Sequence, residues 1–503
     1  MSELPKGWVK TKIGDVTTVV AGGTPKAGDK SNFAEPGKGI AWLTPADLSK
    51  YGKKSISHGS RDLSPQGLKS SSAKLMPKGT ILFSSRAPIG YTVIAENEIA
   101  TNQGFKNFVL PKGLNSSYTY YYLKSIKHIA ESMGTGTTFK ELSGAVAKTL
   151  PFVLAPKNEQ IRIADKLDSM LAKVDAAQAR LDKIPNILKR FRQSVLAAAT
   201  SGELTKEWRI SNSQSAYDFE LLRQNIYDNW LEARHAEFKR KGKTPKSTTW
   251  LKKFPEPNFV DSMIPTWISL SLENIAEVVD PNPSHRMPSY VVEGKAFISS
   301  ENIININKLN FSKGKKVTAE EVEKQKTRYE IVEGTFAFTR IGTIGKSVLL
   351  PKPHDYGISH AMAVVNPYKL IMDSAFLILT MNCETILKQA SHGVQSVGVP
   401  DLGIGKMKNF TVPLPPLMEQ QEIVRRVESL FTMADTVEKQ YKDAKARTNR
   451  LTQSILAKAF RGELVPQDSN DEPASELLAG IKANLDNVAA KSKVKRKTKS
   501  SII

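Results

Sequence analysis

Apolar positions in two stretches of the chain step by four and three in alternation. From Pro156 to Leu204 they fall at Ile163, Leu167, Met170, Val174, Ala177, Leu181, Ile184, Leu188, Phe191 and Val195. From Pro416 to Leu464 they fall at Ile423, Val427, Leu430, Ala434, Val437, Tyr441, Ala444, Leu451 and Ile455, with Thr448 the one polar interruption. This is the a/d spacing of a coiled-coil seam, so each stretch predicts one long helix. About 40 helical residues at 1.5 Å per residue make a rod of roughly 60 Å. The ends fit the physics of caps. Pro156 and Pro416 stand where no backbone N–H is missed. Glu159 and Glu419 sit in the first turn, favoured by the helix dipole. Gly202 and Gly462 stand where a chain leaves a helix through a left-handed residue. Pro185 falls inside the first helix and predicts a kink or break, at a cost of roughly 3 kcal/mol; the second copy has Lys445 there. A single stripe of this kind usually means only that a helix buries one face. Two matched stripes differ, because each supplies the surface the other needs.

The two stretches are copies. They align without a gap at an offset of 260, with 15 of 49 positions identical, among them Gln160/Gln420, Asp175/Asp435 and the closing Gly-Glu-Leu. An internal repeat of this kind organises the rest of the chain. Before the first copy, residues 4–150 hold strand-like runs at Ile40–Leu43, Gly79–Phe83 and Tyr91–Ile94, punctuated by Gly and Pro, then a helix from Ser117 to Ile129 and a small polar loop at Gly134–Phe139. Residues 264–410 repeat this order weakly at offset 255: Gly334-Thr335 matches Gly79-Thr80, Phe338 matches Phe83, and Ile344-Gly345 matches Ile89-Gly90. The plan is therefore a globular unit plus a long helix, twice. Between the copies lie a predicted helix, Tyr217–Lys239, and a polar linker, Lys241–Pro257. Glu476-Leu477-Leu478 echoes Glu220-Leu221-Leu222, and the closing KSKVKRKTKSSII is expected to stay unstructured.

At 503 residues more than one domain is expected. No run of 18 apolar residues exists, so no membrane span is expected, and the MSELPKGW start lacks a signal-peptide core. A single cysteine, Cys383, excludes an internal disulfide and fits a reducing cytoplasm. The net charge of +22 is uneven: residues 1–150 carry 20 Lys/Arg against 10 Asp/Glu, residues 264–410 carry 16 against 14. A basic protein points to a polyanion, most simply nucleic acid.

No catalytic pattern emerges. Gly342–Ser347 lacks the leading Gly of a phosphate loop, with Arg340 in its place. Asn366-Pro367-Tyr368 lacks the second proline of an amino-methyltransferase motif, and no Gly-rich cofactor loop precedes it. The seven histidines form no metal-spaced cluster.

The duplicated plan resembles the specificity subunit of type I restriction-modification systems over essentially the whole chain. The residues that carry the resemblance are the Leu4-Pro5-Lys6-Gly7-Trp8 opening, the Pro415–Val424 helix entry, Phe460–Pro466, and Gly202–Arg209. The first helix entry departs from it, reading Ala155-Pro156 without the double proline. The resemblance implies an α+β protein with two target recognition domains, 1–154 and 263–414. These alternate with two spacer helices, 155–204 and 415–464, that pack as an antiparallel coiled coil. A connecting segment, 205–262, and a C-terminal segment, 465–503, complete it. Leu167, Val174, Leu181, Leu188, Val427, Leu430, Val437 and Leu451 are the expected spacer contacts.

The implied function is reading of a split double-stranded DNA target in the cytoplasm, with no catalysis, metal or cofactor on this chain. The implied partners are two modification subunits carrying S-adenosylmethionine and two restriction subunits using ATP and Mg. The alternatives are a coiled-coil scaffold indifferent to DNA sequence, or a nucleic-acid enzyme with an unrecognised site. Base reading needs Arg, Asn, Gln, Ser or Thr in loops, and Lys or Arg for phosphates. In the first domain the candidates are Thr44, Arg86, Gln103, Lys106, Thr135, Thr137, Thr138 and Lys140. In the second they are Ser300, Asn302, Arg340, His360 and Gln395, with Lys346 for phosphate. Arg86 and Arg340 lead, because they follow the matched Phe83 and Phe338. Those two Phe, with Trp8 and Trp267, are expected in the core.

Overall fold

The structure, a computed structural model, describes residues 4–136, 140–212, 217–284, 287–392 and 399–484. The basic tail, Thr137, Thr138 and Gln395 lie outside them. Helix and strand are mixed. The chain divides into two units, Met1–Asp182 with Lys442–Ile503, and Lys183–Tyr441. The strand Ile81–Ser85 has no polar face, which predicts burial on both sides. It runs inside a five-stranded sheet, between Phe105–Val109 and Ile89–Ala95, with Thr18–Ala21 and Ser55–Ile56 at the edges. Ile81 and Phe83 pack on one face with Tyr118 and Tyr122 of the helix Ser116–Ser125. Leu82 points the other way, with Val93 and Phe105, as a period of two requires.

The second unit builds a four-stranded counterpart, without the Ser55–Ile56 edge strand, in the order Ala276–Val279, Met362–Pro367, Phe336–Thr339, Ser347–Leu349. Phe336 and Phe338 pack against Phe376, and Ala337 turns to Val364 on the opposite face. In each unit a smaller sheet joins the opening strand to the strand before the long helix. Val9 lies opposite Leu154 in one, and Ile268 opposite Leu414 in the other.

Pro185 breaks the first helix. It ends at Leu181 and restarts as Ile184–Thr200, with Pro185 in the new first turn. Proline offers no N–H there and its ring collides with the carbonyl four residues back. The second copy runs unbroken from Leu417 to Phe460.

The expected 4-3 seam is corrected in detail. Leu167, Val174, Leu188 and Val427 are buried, and Leu181 and Leu430 half-buried. Val437 and Leu451, however, are 42% and 49% exposed, while the adjacent Glu438 and Thr452 are half-buried in their place. One line of buried and half-buried positions runs 423, 427, 430, 434, 438, 441, 445, 448, 452, 455 and 459, with Ala444 and Leu456 also turned inward beside it. That is ten steps over 36 residues, the 3.6 period of a straight helix, which drifts from a strict heptad pattern.

The repeated Glu-Gln pair clamps each helix to its unit. Trp8 Nε1 donates to Glu159 Oε2 at 2.7 Å, and Trp267 Nε1 to Glu419 Oε2 at 2.8 Å. Gln160 Oε1 accepts from Asn115 N and Gln420 Oε1 from Asp373 N, at 2.9 and 2.7 Å. The side chains of Asn115 and Asp373 in turn cap the helices that pack on the sheets. Each glutamate also binds the segment after the other copy's helix. Gln467 donates to Glu159 at 2.6 Å, and Thr205 to Glu419 at 2.6 Å. Burial pushes Glu159 above the ordinary glutamate range, against the hydrogen bond from Trp8. The first helix has a further latch. Lys54 Nζ reaches both oxygens of Asp168 at 2.7 Å, and the Tyr121 hydroxyl donates to the same carboxylate. Burial and that carboxylate push the phenol's pKa up, so it remains a donor.

Candidate DNA-reading surface

At the end of Ile81–Ser85 the chain turns through Ala87 in the left-handed region, φ 52°. There it meets a segment more than forty residues ahead. Leu142 N donates to the Ser85 carbonyl at 2.8 Å, Arg86 bridges to Glu141, and Glu141 N donates to the Thr135 carbonyl at 2.8 Å. This gathers Arg86, Lys106, Thr135 and Lys140 around one acid, Glu141, that is not among the residues expected from sequence. Arg86 and Lys106 each lie 3.6 Å from a Glu141 oxygen. Thr135 and Lys140 are exposed, and Arg86 keeps 37% of its side chain in solvent. Gln103 is exposed and its side chain accepts from the Thr24 hydroxyl. It stands one residue before Gly104, whose carbonyl accepts from Ser85 N at 2.7 Å.

Lys106 is corrected as a DNA contact. Its side chain is 8% exposed, and Nζ donates to Ser85 Oγ at 3.3 Å. Thr44 spends its hydroxyl on Asp47 Oδ2 at 2.8 Å, within a capping box.

The second unit repeats the junction with different side chains. Leu402 N donates to the Arg340 carbonyl at 2.9 Å, and Ile341 bridges to Asp401. The structural counterpart of Arg86 is therefore Ile341, and Arg340 stands where Ser85 does. This overturns Arg340 as a base reader. Its side chain is 2% exposed, bound to Asp280 at 2.7 Å and Asp401 at 3.3 Å. An enclosed guanidinium with two carboxylates cannot enter a groove.

Asn302 is also corrected. It is fully buried, accepts from Ser299 N and donates to the Asn310 and Lys313 carbonyls, all at 2.9 Å. Ser299, not Ser300, is the counterpart of Thr44: Ser299 N binds Asn302 as Thr44 N binds Asp47. Ser300 and His360 are half-buried. Lys346 is exposed in a loop that turns at Gly342 and Gly345, φ 74° and 96°.

Glu141 and Asp401 were findable. They differ by 260, the offset of the helices, and each precedes a leucine. Asp280 had no such signal, because its counterpart is Ala21 at the sheet edge.

A family model for the type I restriction modification DNA specificity domain matches residues 5–186 and 286–444. The chain belongs to this family. As a specificity subunit its role is DNA recognition. It is 32% identical over 387 residues to the type I restriction enzyme EcoDI specificity subunit of Escherichia coli, covering 74% of this chain and 77% of that one. Against the EcoKI specificity subunit of E. coli strain K12 the identity is 27% over 512 residues, 96% of each chain. A solved structure from work on complex assembly and conformational transition of the type I R-M system covers 92% of this specificity subunit and 100% of its own chain. Its TM-score is 0.58 at 15% identity, a likeness of fold. Among the described residues, no helix is long and apolar enough to cross a membrane.

Proposed function

We propose that this specificity subunit reads a split DNA target, one half with each of two target recognition domains, residues 1–154 and 263–414. The observation that carries the reading is the duplicated junction. Two like sheets each end in a paired strand turn and acidic segment, and the side chains on the two differ. Arg86, Gln103, Thr135 and Lys140 offer hydrogen bonds to base edges and phosphates on one. Ile341, His360 and Lys346 stand on the other, which accordingly reads a different half-site.

The helices 155–204 and 415–464 act as the spacer and pack as an antiparallel pair. Within the first unit Gln178 donates to Asn449 at 3.1 Å and Lys445 to Asp182 at 2.8 Å. Within the second Arg192 reaches Asp435 at 2.7 Å and Glu438 at 2.9 Å. Numbers rise along one helix as they fall along the other, which supports this reading. The outer faces of the pair receive two modification subunits, which bring S-adenosylmethionine. Two restriction subunits bring ATP and Mg. The subunit itself works in the cytoplasm and holds no cofactor.

The test is a methylation map. The subunit is expressed with its modification partner in a methylation-free host, and modified adenines are located. A single split motif with a fixed gap is expected. A complex that forms and binds S-adenosylmethionine yet marks no split motif would sink the proposal and favour a scaffold indifferent to sequence.

A further inference from the structure

Both reading junctions hold an acid with 42% of its side chain in solvent, Glu141 in one unit and Asp401 in the other. Both acids face a buried cation, but the cation comes from different strands. In the first unit it is Lys106, opposite Phe83 in the sheet, and position 85 is serine. In the second it is Arg340, which stands at the serine position, and the residue opposite Phe338 is Ala363. The position that holds the cation in one unit thus holds a small uncharged residue in the other. The shared strand pattern therefore does not itself call for a cation at either position, and a buried ion costs more than an uncharged core; Arg340 also holds Asp280 at 2.7 Å. What the two units share is a cation beneath the acid.

We propose that Glu141–Lys106 and Asp401–Arg340 are one device. A buried cation anchors the acid at the reading edge, and the acid positions its neighbours for base discrimination. In the first unit the positioned group is Arg86, whose guanidinium lies 3.6 Å from Glu141. Glu141, Lys106, Asp401 and Arg340 are positioning residues. The inference rests on the reading that these junctions meet DNA.

The experiment uses the full complex with the modification partner. It measures methylation of a library in which each base pair of the mapped target is varied. Lys106→Met is expected to lower discrimination roughly tenfold, within the worth of one bidentate base contact, in one half of the target only. Glu141→Gln is expected to do the same, and Lys106→Met added to Glu141→Gln to change little more. Lys106→Arg, which keeps the cation, is expected to retain the parent profile. Asp401→Asn should relax the other half. If Lys106→Met fails to assemble, Glu141→Gln carries the same test at a partly exposed side chain. Unchanged discrimination in both variants would overturn the proposal, as would an equal loss at both halves, which marks plain destabilisation. A parent complex with no split motif would instead overturn the DNA-reading assignment beneath it.

Discussion

The indole nitrogen of Trp8 donates to the carboxylate of Glu159 at 2.7 Å, across 151 residues of sequence. That bond locks the start of the first long helix to the opening strand of its domain. Glu159→Ala would leave the Trp8 indole and the Gln467 amide without their acceptor inside a packed joint. We expect a loss of roughly 1–3 kcal/mol, read as a lower midpoint in denaturant melts. A midpoint within error of the parent would remove the clamp from the structural account.

Gly462 and Gly202 close the two helices with φ of 77° and 75°. A Cβ on Gly462 would fall 2.1 Å from Pro5 Cγ, and one on Gly202 2.2 Å from Ile264 Cδ1. The proline ring cannot swing aside, whereas the isoleucine terminus can. Both alanine variants should lose roughly 1–3 kcal/mol from backbone strain, with Gly462→Ala the worse. Equal thermal melts for the two would refute the ranking.

Pro185 already occupies the first turn of a restarted helix, so Pro185→Ala should change stability by less than about 1 kcal/mol. Lys445→Pro, in the middle of the unbroken helix, should cost roughly 3 kcal/mol or more. It also removes the contact with Asp182. Circular dichroism melts of the two variants check this, and a mild Lys445→Pro would argue that the long helix is interrupted in solution.

Arg340→Met should destabilise the second unit by roughly 3 kcal/mol or more, because it removes one side of a buried ion pair. A variant that melts like the parent would count against an enclosed ion pair at Arg340.

Glu422 is held by Arg425 and Arg426 through hydrogen bonds of 2.6–2.8 Å, which pull its pKa down to about 2. The folded state holds this proton less tightly than the unfolded chain. Its contribution is therefore complete above pH 4.5, the ordinary value, and is lost as pH falls towards 2. At a surface pair this amounts to about 1 kcal/mol or less. Glu422→Gln should flatten the acid limb of the stability curve by that amount, and an unaltered limb would count against the pairing.

The sequence by itself determined the duplication, the two long helical stretches, an interruption at Pro185 that the structure resolves as a break, and the left-handed exits at Gly202 and Gly462. These follow from local spacing and from residues with special backbone chemistry. It also placed Trp8, Trp267, Phe83 and Phe338 in the core, which periodicity and size make legible. Tertiary structure decided which polar side chains face out. Arg86 and Arg340 look alike in sequence, each close behind a matched phenylalanine. A register difference of one residue sends Arg86 to the edge and buries Arg340 between Asp280 and Asp401. The seam was legible only to within one residue, because the period of 3.6 replaced 3.5 and turned Val437 and Leu451 outward. Lys106 looked available to DNA until the fold brought Glu141 over it. A charge's partner depends on which segments meet, and that is fixed by long-range packing rather than by the neighbouring sequence.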